Sequence, residues 1–245
     1  MSKVDEMLKK FEGLVNEGMD AKNTVKALAL IGAPSYDEEL IKDTKIYSDY
    51  LPKSDECPFS EEQRNLCILW ESIDRVPLGI NCAFSIPFRS IIAKKLFKKC
   101  GKGFIAYDKC RVNFPQLLEV GDNVAFNSGV FIDSKGGVSI GDGTMFAEDV
   151  IIFSHGHHED NHMVRDYKKT TIGNMVIIGS RSIVLAGVNI ADGGLIAAGS
   201  VVTKDVAERT CVSGDEAKVL RETRTEGKTL NDLNHYFFKD KAFQK

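Results

Sequence analysis

From Val120 to Val202 an aliphatic or aromatic residue returns every six positions: Val120, Phe126 and Ile132, then Ile140, Phe146 and Ile152, then Ile172, Ile178, Val184, Ile190, Ile196 and Val202. Neither a helix nor an ordinary strand repeats at six, whereas parallel β-helices stacked from hexapeptides do. The clearest text is IGNMVI, IGSRSI, VLAGVN, IADGGL and IAAGSV, which runs unbroken from Ile172 to Val201. The first residue of each rung is expected to point inward and to stack on its counterpart one coil away, at the roughly 4.8 Å spacing of paired strands. Gly173, Gly179, Asp192, Gly193, Gly194 and Gly199 are expected to form sharp corners, where Gly, Asn and Asp tolerate positive φ. Three rungs close a triangular coil, so the twelve rungs predict about four coils. Two interruptions stand out: two extra residues after Ile132 and a much longer insertion between Ile152 and Ile172. Insertions in a solenoid fall on one face and commonly carry function.

The first hundred residues follow another rhythm. Val4, Met7, Leu8, Phe11, Leu14 and Val15 recur at three- and four-residue spacing, which predicts an amphipathic helix ending near Gly18. A second helix is predicted over residues 21–30, a break at Gly32, Pro34 and Ser35, and a third helix over roughly 37–50. Pro52 and Pro58 mark a loop, and Ser60 with Gln63 forms a capping box ahead of Leu66, Ile68, Leu69 and Trp70. This helical region is a candidate cover for the open end of the solenoid, whose unpaired edge must be protected. Between the two regions, Arg89, Lys94, Lys95, Lys98, Lys99 and Lys102 alternate with Ile91, Ile92, Leu96 and Phe97. Such a basic amphipathic segment suits an anionic surface, but it equally suits a helix that solvates its lysines and packs its apolar side on the solenoid.

Composition narrows the picture. With 245 residues, of which 43% are hydrophobic, the chain can bury a full core. A net charge of −3 speaks against nucleic acid as a partner. The cysteines at 57, 67, 82, 100, 110 and 211 form no CxxC pair and read as reduced structural thiols. The N-terminal stretch MSKVDEMLKKFEGL is charged throughout and has no apolar leader core, and no run reaches the length of a membrane span. A soluble, cytoplasmic protein without membrane contact is the expectation.

The chemistry concentrates in VIIFSHGHHEDNHMVRDY, where the long insertion opens. Four of the five histidines, His155, His157, His158 and His162, fall within eight residues. A histidine beside a rigid scaffold suits a general base, because its unperturbed pKa of about 6.5 lies near neutrality. A zinc site would need three or four ligands in fixed geometry, and no histidine precedes His155 to supply one from an earlier coil. No metal is therefore expected. A polar loop that merely solvates its histidines is the plainer alternative.

From Pro87 to Arg221 the chain resembles the hexapeptide-repeat acyltransferases, in particular the galactoside, maltose and polysaccharide O-acetyltransferases. In that group the catalytic histidine is the sixth residue of a rung just before a loop. The rung IFSHGH begins at Ile152, so the resemblance points to His157 as the base, with His155 as rival and His158 in the loop proper. Glu159 or Asp160 is a candidate to orient the ring. The rung FNSGVF places Asn127 where the family has an acceptor-contacting asparagine, although asparagine also favours a plain corner. The segment AAGSVVTKDVAERTCVSGDEAKVLRE is similar to the family's closing coil and coenzyme A-binding tail. Carried across, Ser180 would lie near the thioester, Ala198 would offer backbone to the pantetheine arm, Thr203 and Lys204 would lie along it, and Lys218 and Arg221 would face the phosphates. Two positions depart from the family: Ile177 replaces a frequent aromatic residue and Glu216 a frequent proline.

The expected fold is mainly β, a left-handed parallel β-helix of hexapeptide repeats preceded by an α-helical N-terminal region. The expected division is residues 1–105 for the helical region and linker, 106–221 for the acyltransferase domain and 222–245 for a charged tail. The resemblance implies an acetyl-CoA-dependent O-acetyltransferase acting on a sugar or polysaccharide-type hydroxyl. It also implies a homotrimer whose sites form between subunits, with an oxyanion donor near Ser180. An N-acyltransferase on an amino sugar or xenobiotic shares every residue named, and a non-catalytic or metal-binding scaffold is the third reading.

Overall fold

The computed structural model describes residues 1–34 and 36–233. Ser35 and the part of the expected charged tail beyond residue 233 lie outside the described residues. The chain divides into two compact units, the first spanning Met1–Leu96 and the second beginning at Phe97.

The first unit is helical: α1 Lys3–Glu17, α2 Ala21–Leu30, α3 Glu38–Asp43, α4 Lys53–Glu56, α5 Glu61–Ser72 and α6 Cys82–Leu96. The apolar spacing of α1 buries Phe11 and Val15, and Gly18 closes the helix at φ 105°. Ser60 and Gln63 make the reciprocal capping box that opens α5. The third helix is shorter than its pattern predicts. It ends at Asp43, because Thr44 turns extended, and a separate 3₁₀ turn covers Tyr47–Tyr50. Asp49 is held there by a bidentate bond from Arg64, at 2.9 Å to each oxygen. In the basic segment Lys94, Lys95, Lys98 and Lys99 are exposed while Ile92, Leu96 and Phe97 are buried, and only Arg89 departs from that pattern: it is fully buried on α6 and pairs with Asp74, while Phe88 stacks on Phe11 at 4.1 Å. Burying its cation against a carboxylate satisfies a charge that could not otherwise leave water.

The second unit is a left-handed parallel β-helix with three faces. The first face stacks the strands Lys99–Cys100, Leu118–Val120, Val138–Ile140, Thr170–Ile172 and Asn189–Ile190. The second face stacks Ile105–Ala106, Ala125–Phe126, Met145–Phe146, Ile177–Ile178, Leu195–Ile196 and Thr210–Ser213, with Lys218–Glu222 antiparallel on its rim. The third face stacks Arg111–Asn113, Phe131–Asp133, Ile151–Phe153, Ile183–Val184 and Val201–Val202. Every one of the twelve positions counted by sixes is buried, none more than 4% exposed. The register agrees, with Val120 beside Ile140, Phe126 beside Phe146 and Ile132 beside Ile152.

The coils number more than the four that the rungs predict, because a further coil precedes Val120 and the stack continues past Val202, where Val206 lies beside Ile190 and Val212 beside Ile196. The inward residues of the preceding coil are Cys100, Ala106 and Val112, which pair with Val120, Phe126 and Ile132. Small side chains there gave the hydrophobic period little amplitude. Phe104, Phe126 and Phe146 fill the wider interior behind them in an edge-to-face column with centroids 5.1 and 5.0 Å apart.

The corners differ in cause from the expectation. Gly199 does take a left-handed conformation, φ 70°. Gly179 does not; a Cβ there would stand 2.5 Å from the backbone nitrogen of Ala198, so close approach of the next coil requires it. At the corner after the first face, side chains replace missing backbone partners. Asp122 N–H donates to Asp142 Oδ1 at 2.7 Å, Asp142 N–H to Asn174 Oδ1 at 2.8 Å, and Asn174 N–H to Asp192 Oδ1 at 2.7 Å.

Phe126 touches aromatic rings above and below it, so Phe126→Ala is expected to open a cavity in mid-column. We expect a loss of about 3 to 5 kcal/mol in urea unfolding, and a loss under about 1 kcal/mol would show that the column does not carry the core.

Candidate active site

The insertion after Ile152 leaves the prism as a two-stranded antiparallel arm. His155–His157 pairs with Arg165–Tyr167, with His155 opposite Tyr167 and His157 opposite Arg165. The rung therefore ends at Phe153, and His157 sits on the arm and not at the sixth place of a coil. Buried hydroxyls bolt the arm to the corner beneath it. Ser154 Oγ donates to Asp133 O at 2.6 Å and accepts from Gly136 N–H at 2.9 Å, and Thr170 Oγ1 donates to Phe153 O at 2.6 Å. Fully buried hydroxyls bonded in this way fix the take-off direction of the chain.

His157 is exposed, and its Nδ1 lies 3.2 Å from the carbonyl oxygen of His162. A carbonyl only accepts, so Nδ1–H is the donor, and in the neutral ring the lone pair then lies on Nε2. The main chain thus orients this ring; the expectation of Glu159 or Asp160 in that role is not met. His158 faces Asp166 at 3.3 Å, and the bonds from His158 and Lys168 hold the Asp166 carboxyl below its usual range.

His155 belongs to a different environment. Its ring lies edge-on to His157, with centroids 5.3 Å apart, and its side chain is only 9% exposed. Lys135 Nζ stands 3.2 Å from its Nε2 and 3.0 Å from Asp133 Oδ2, while its Nδ1 lies 3.5 Å from Asp133 Oδ1. Burial, helped by the cations of Lys135 and Arg165 and opposed by Asp133, keeps the His155 pKa below the ordinary imidazole value.

A second group lines the edge between the second and third faces. Asn127 Nδ2 donates to Glu148 Oε1 at 2.7 Å, and Ser180 Oγ donates to Glu148 Oε2 at 2.8 Å. One carboxylate thus ties together two residues expected at the acceptor and the thioester. Asn127 Oδ1 accepts from Ser128 N–H at 2.9 Å. Among the described residues the backbone N–H groups of Ser180 and Ala198 donate to nothing. They lie on the same edge, one coil apart.

Thr203 and Lys204 follow the last strand of the third face and so lie on the next edge. Both meet Glu216, at 3.4 and 3.9 Å. Lys218 and Arg221 are exposed on the rim strand. Arg221 and Arg224 flank a cleft of roughly 350 Å³ floored by Met175, Ile177 and Leu195. Within one chain, then, His155 and His157 come together, and so do Asn127 and Ser180, but the histidines and the Ser180 edge occupy different corners. Among the described residues no group of three or more His, Cys, Asp or Glu side chains is arranged to hold a metal ion. No helix among them is long and apolar enough to cross a membrane.

Sequence reasoning missed Asp133, Lys135 and Glu148. The first two had a signal: the two extra residues after Ile132 fall where Lys135 is lodged. Glu148 had none, since an acid at a corner is ordinary.

No family model matches the chain. It is 30% identical over 157 residues to the galactoside O-acetyltransferase of Escherichia coli (strain K12), covering 62% of this chain and 74% of that protein. A solved galactoside acetyltransferase in complex with coenzyme A superposes with a TM-score of 0.58 at 26% identity, covering 82% of this chain and 95% of that one. A maltose O-acetyltransferase from Clostridium difficile 630 shares the fold, with a TM-score of 0.61 at 24% identity over 76% of this chain and 96% of that one. The six-residue rungs, together with these relatives, define an acyltransferase of the hexapeptide-repeat class. More narrowly, the chain belongs to the acetyltransferase family that contains the galactoside O-acetyltransferases.

The lowered pKa of His155 has a consequence for stability. Unfolding returns this ring to about 6.5, so its contribution is intact above that pH and is lost as pH falls towards the folded value. The thermal midpoint is expected to drop between pH 7 and pH 5.5, and His155→Gln to shrink that drop; an equal drop in the variant would remove His155 as its source.

Proposed function

We propose that the protein transfers the acetyl group of acetyl-CoA to a hydroxyl of a saccharide-type acceptor, with His157 as general base. The observation that carries this reading is the tether of His157 Nδ1 to the His162 carbonyl on an exposed ring, which leaves the lone pair of the neutral imidazole on Nε2 to act as a base. Nε2 takes the proton of the acceptor hydroxyl as its oxygen attacks the thioester carbonyl. The tetrahedral intermediate then collapses, the C–S bond breaks, and the imidazolium returns the proton to the CoA thiolate. No acyl-enzyme is needed.

The oxyanion requires a preorganised donor. Ser180 Oγ–H is committed to Glu148, so the backbone N–H groups of Ser180 and Ala198 are the donors this reading assigns to the thioester oxygen and the pantetheine arm. Asn127, positioned by Glu148, faces the acceptor. Lys218 and Arg221 face the phosphates. Glu216, placed against Thr203 and Lys204, takes up positive charge there and leaves the phosphates to the rim strand. Because base and donor edge occupy different corners of one prism, the site is completed by a second copy, which supports a homotrimer with sites at its seams.

His157→Ala is expected to lower kcat by about 10² to 10⁴ while coenzyme A binding, measured by calorimetry, stays unchanged. If His155→Ala is the inactive variant and His157→Ala keeps its rate, the base is misassigned. A panel of hydroxyl and amino sugars, followed by thiol release, separates O-transfer from N-transfer; preferred turnover of amines would overturn the hydroxyl acceptor.

A further inference from the structure

Beneath the arm lies a buried charge cluster that the acyl transfer does not itself require. Asp133 and Lys135 are 3% and 9% exposed, and His155 is packed between Phe153 and Tyr167. Asp133 accepts from Asn113 Nδ2 at 3.3 Å and from the backbone N–H of Lys135 at 3.3 Å, so the carboxylate is held before its cation arrives. A buried ion pair is costly to build and is weak support for stability, which makes a functional reason worth seeking.

We propose that Lys135 is a positioning residue of the reaction: braced by Asp133, its ammonium fixes His155 as a neutral imidazole, so that His157 works beside an uncharged ring. An ammonium has donors only, so the contact to His155 Nε2 makes that nitrogen an acceptor and sends the ring proton to Nδ1, towards Asp133. The charged and titratable groups facing His155 are Asp133 and Lys135 from the corner and His157, Arg165 and Tyr167 from the arm. Asp133 is the one anion among them, and Lys135 already neutralises it. A third charge on His155 would be unpaired and buried.

The consequence concerns the neighbouring ring. During transfer His157 becomes an imidazolium, with the His155 centroid 5.3 Å away. A neutral His155 leaves that charge unopposed, whereas a charged one would weaken the base. The inference rests on His157 being that base, and the test keeps the two apart.

In the unaltered chain, ring ¹⁵N NMR is expected to show His155 neutral at pH 7 with Nε2 unprotonated; an Nε2–H tautomer or an imidazolium would overturn the proposal without any variant. In Lys135→Met, Asp133 loses its cation and draws a proton onto His155. We then expect kcat to fall about tenfold with acceptor KM nearly unchanged, and the acid limb of kcat/KM to move about one pH unit lower. Removing the anion as well, in Asp133→Asn with Lys135→Met, is expected to return His155 to neutrality and recover most of the rate, a rescue that a purely structural role would not give. A double variant slower than the single one, or a His155 that stays neutral in Lys135→Met, would overturn the role of Lys135. A His155 that charges as expected while the acid limb stays put would overturn it through the assignment of the base.

Discussion

Parallel pairing of each coil with the next, at a fixed register, is the constraint on which everything else in the second unit depends. It places residue i of one rung directly over its counterpart, eighteen positions along in an uninterrupted coil, as for Ile178 over Ile196, and twenty where two extra residues intervene, as for Phe126 over Phe146. Inward positions become an apolar column removed from water, and that burial supplies the driving force. Outward positions become columns too. A side chain at a corner therefore meets the side chains one coil up and one coil down with little freedom to avoid them, and the Asp142, Asn174 and Asp192 ladder is the simplest result.

The candidate site uses the same property. Glu148 reaches both Asn127 and Ser180 because the three occupy one edge on consecutive coils. Lys135 reaches His155 because the corner after Phe131–Asp133 underlies the corner after Ile151–Phe153. A loop on an ordinary surface would have to order such groups at an entropic cost. Here the solenoid has already ordered them, and the buried hydroxyls of Ser154 and Thr170 extend that order into the arm that carries His157.

The fold was legible because its period is unusual and its inward residues are large. Where the inward residues are small, at Cys100 and Ala106, the same period has too little amplitude to mark a coil. Corner glycines are legible as corners, but the close approach that requires Gly179 is not, because contact between neighbouring coils leaves no local mark in the sequence. The candidate site was legible only where single residue types carry the chemistry. Four histidines in eight residues announce themselves. The Asp133, Lys135 and His155 cluster joins residues about twenty positions apart, and only the register of the coils brings them together.

The central claim is that a base on one corner and a donor edge on another become a single site only across a seam between copies. Subunit complementation tests it most directly. His157→Ala and a donor-edge variant such as Ala198→Phe are each inactive alone on this account, and co-expressed as mixed oligomers they should regain a measurable fraction of acetyl transfer, because some seams then hold one intact half from each copy. Mixed oligomers that form but stay as inactive as their parents would contradict it, and would put both halves of the site in one chain.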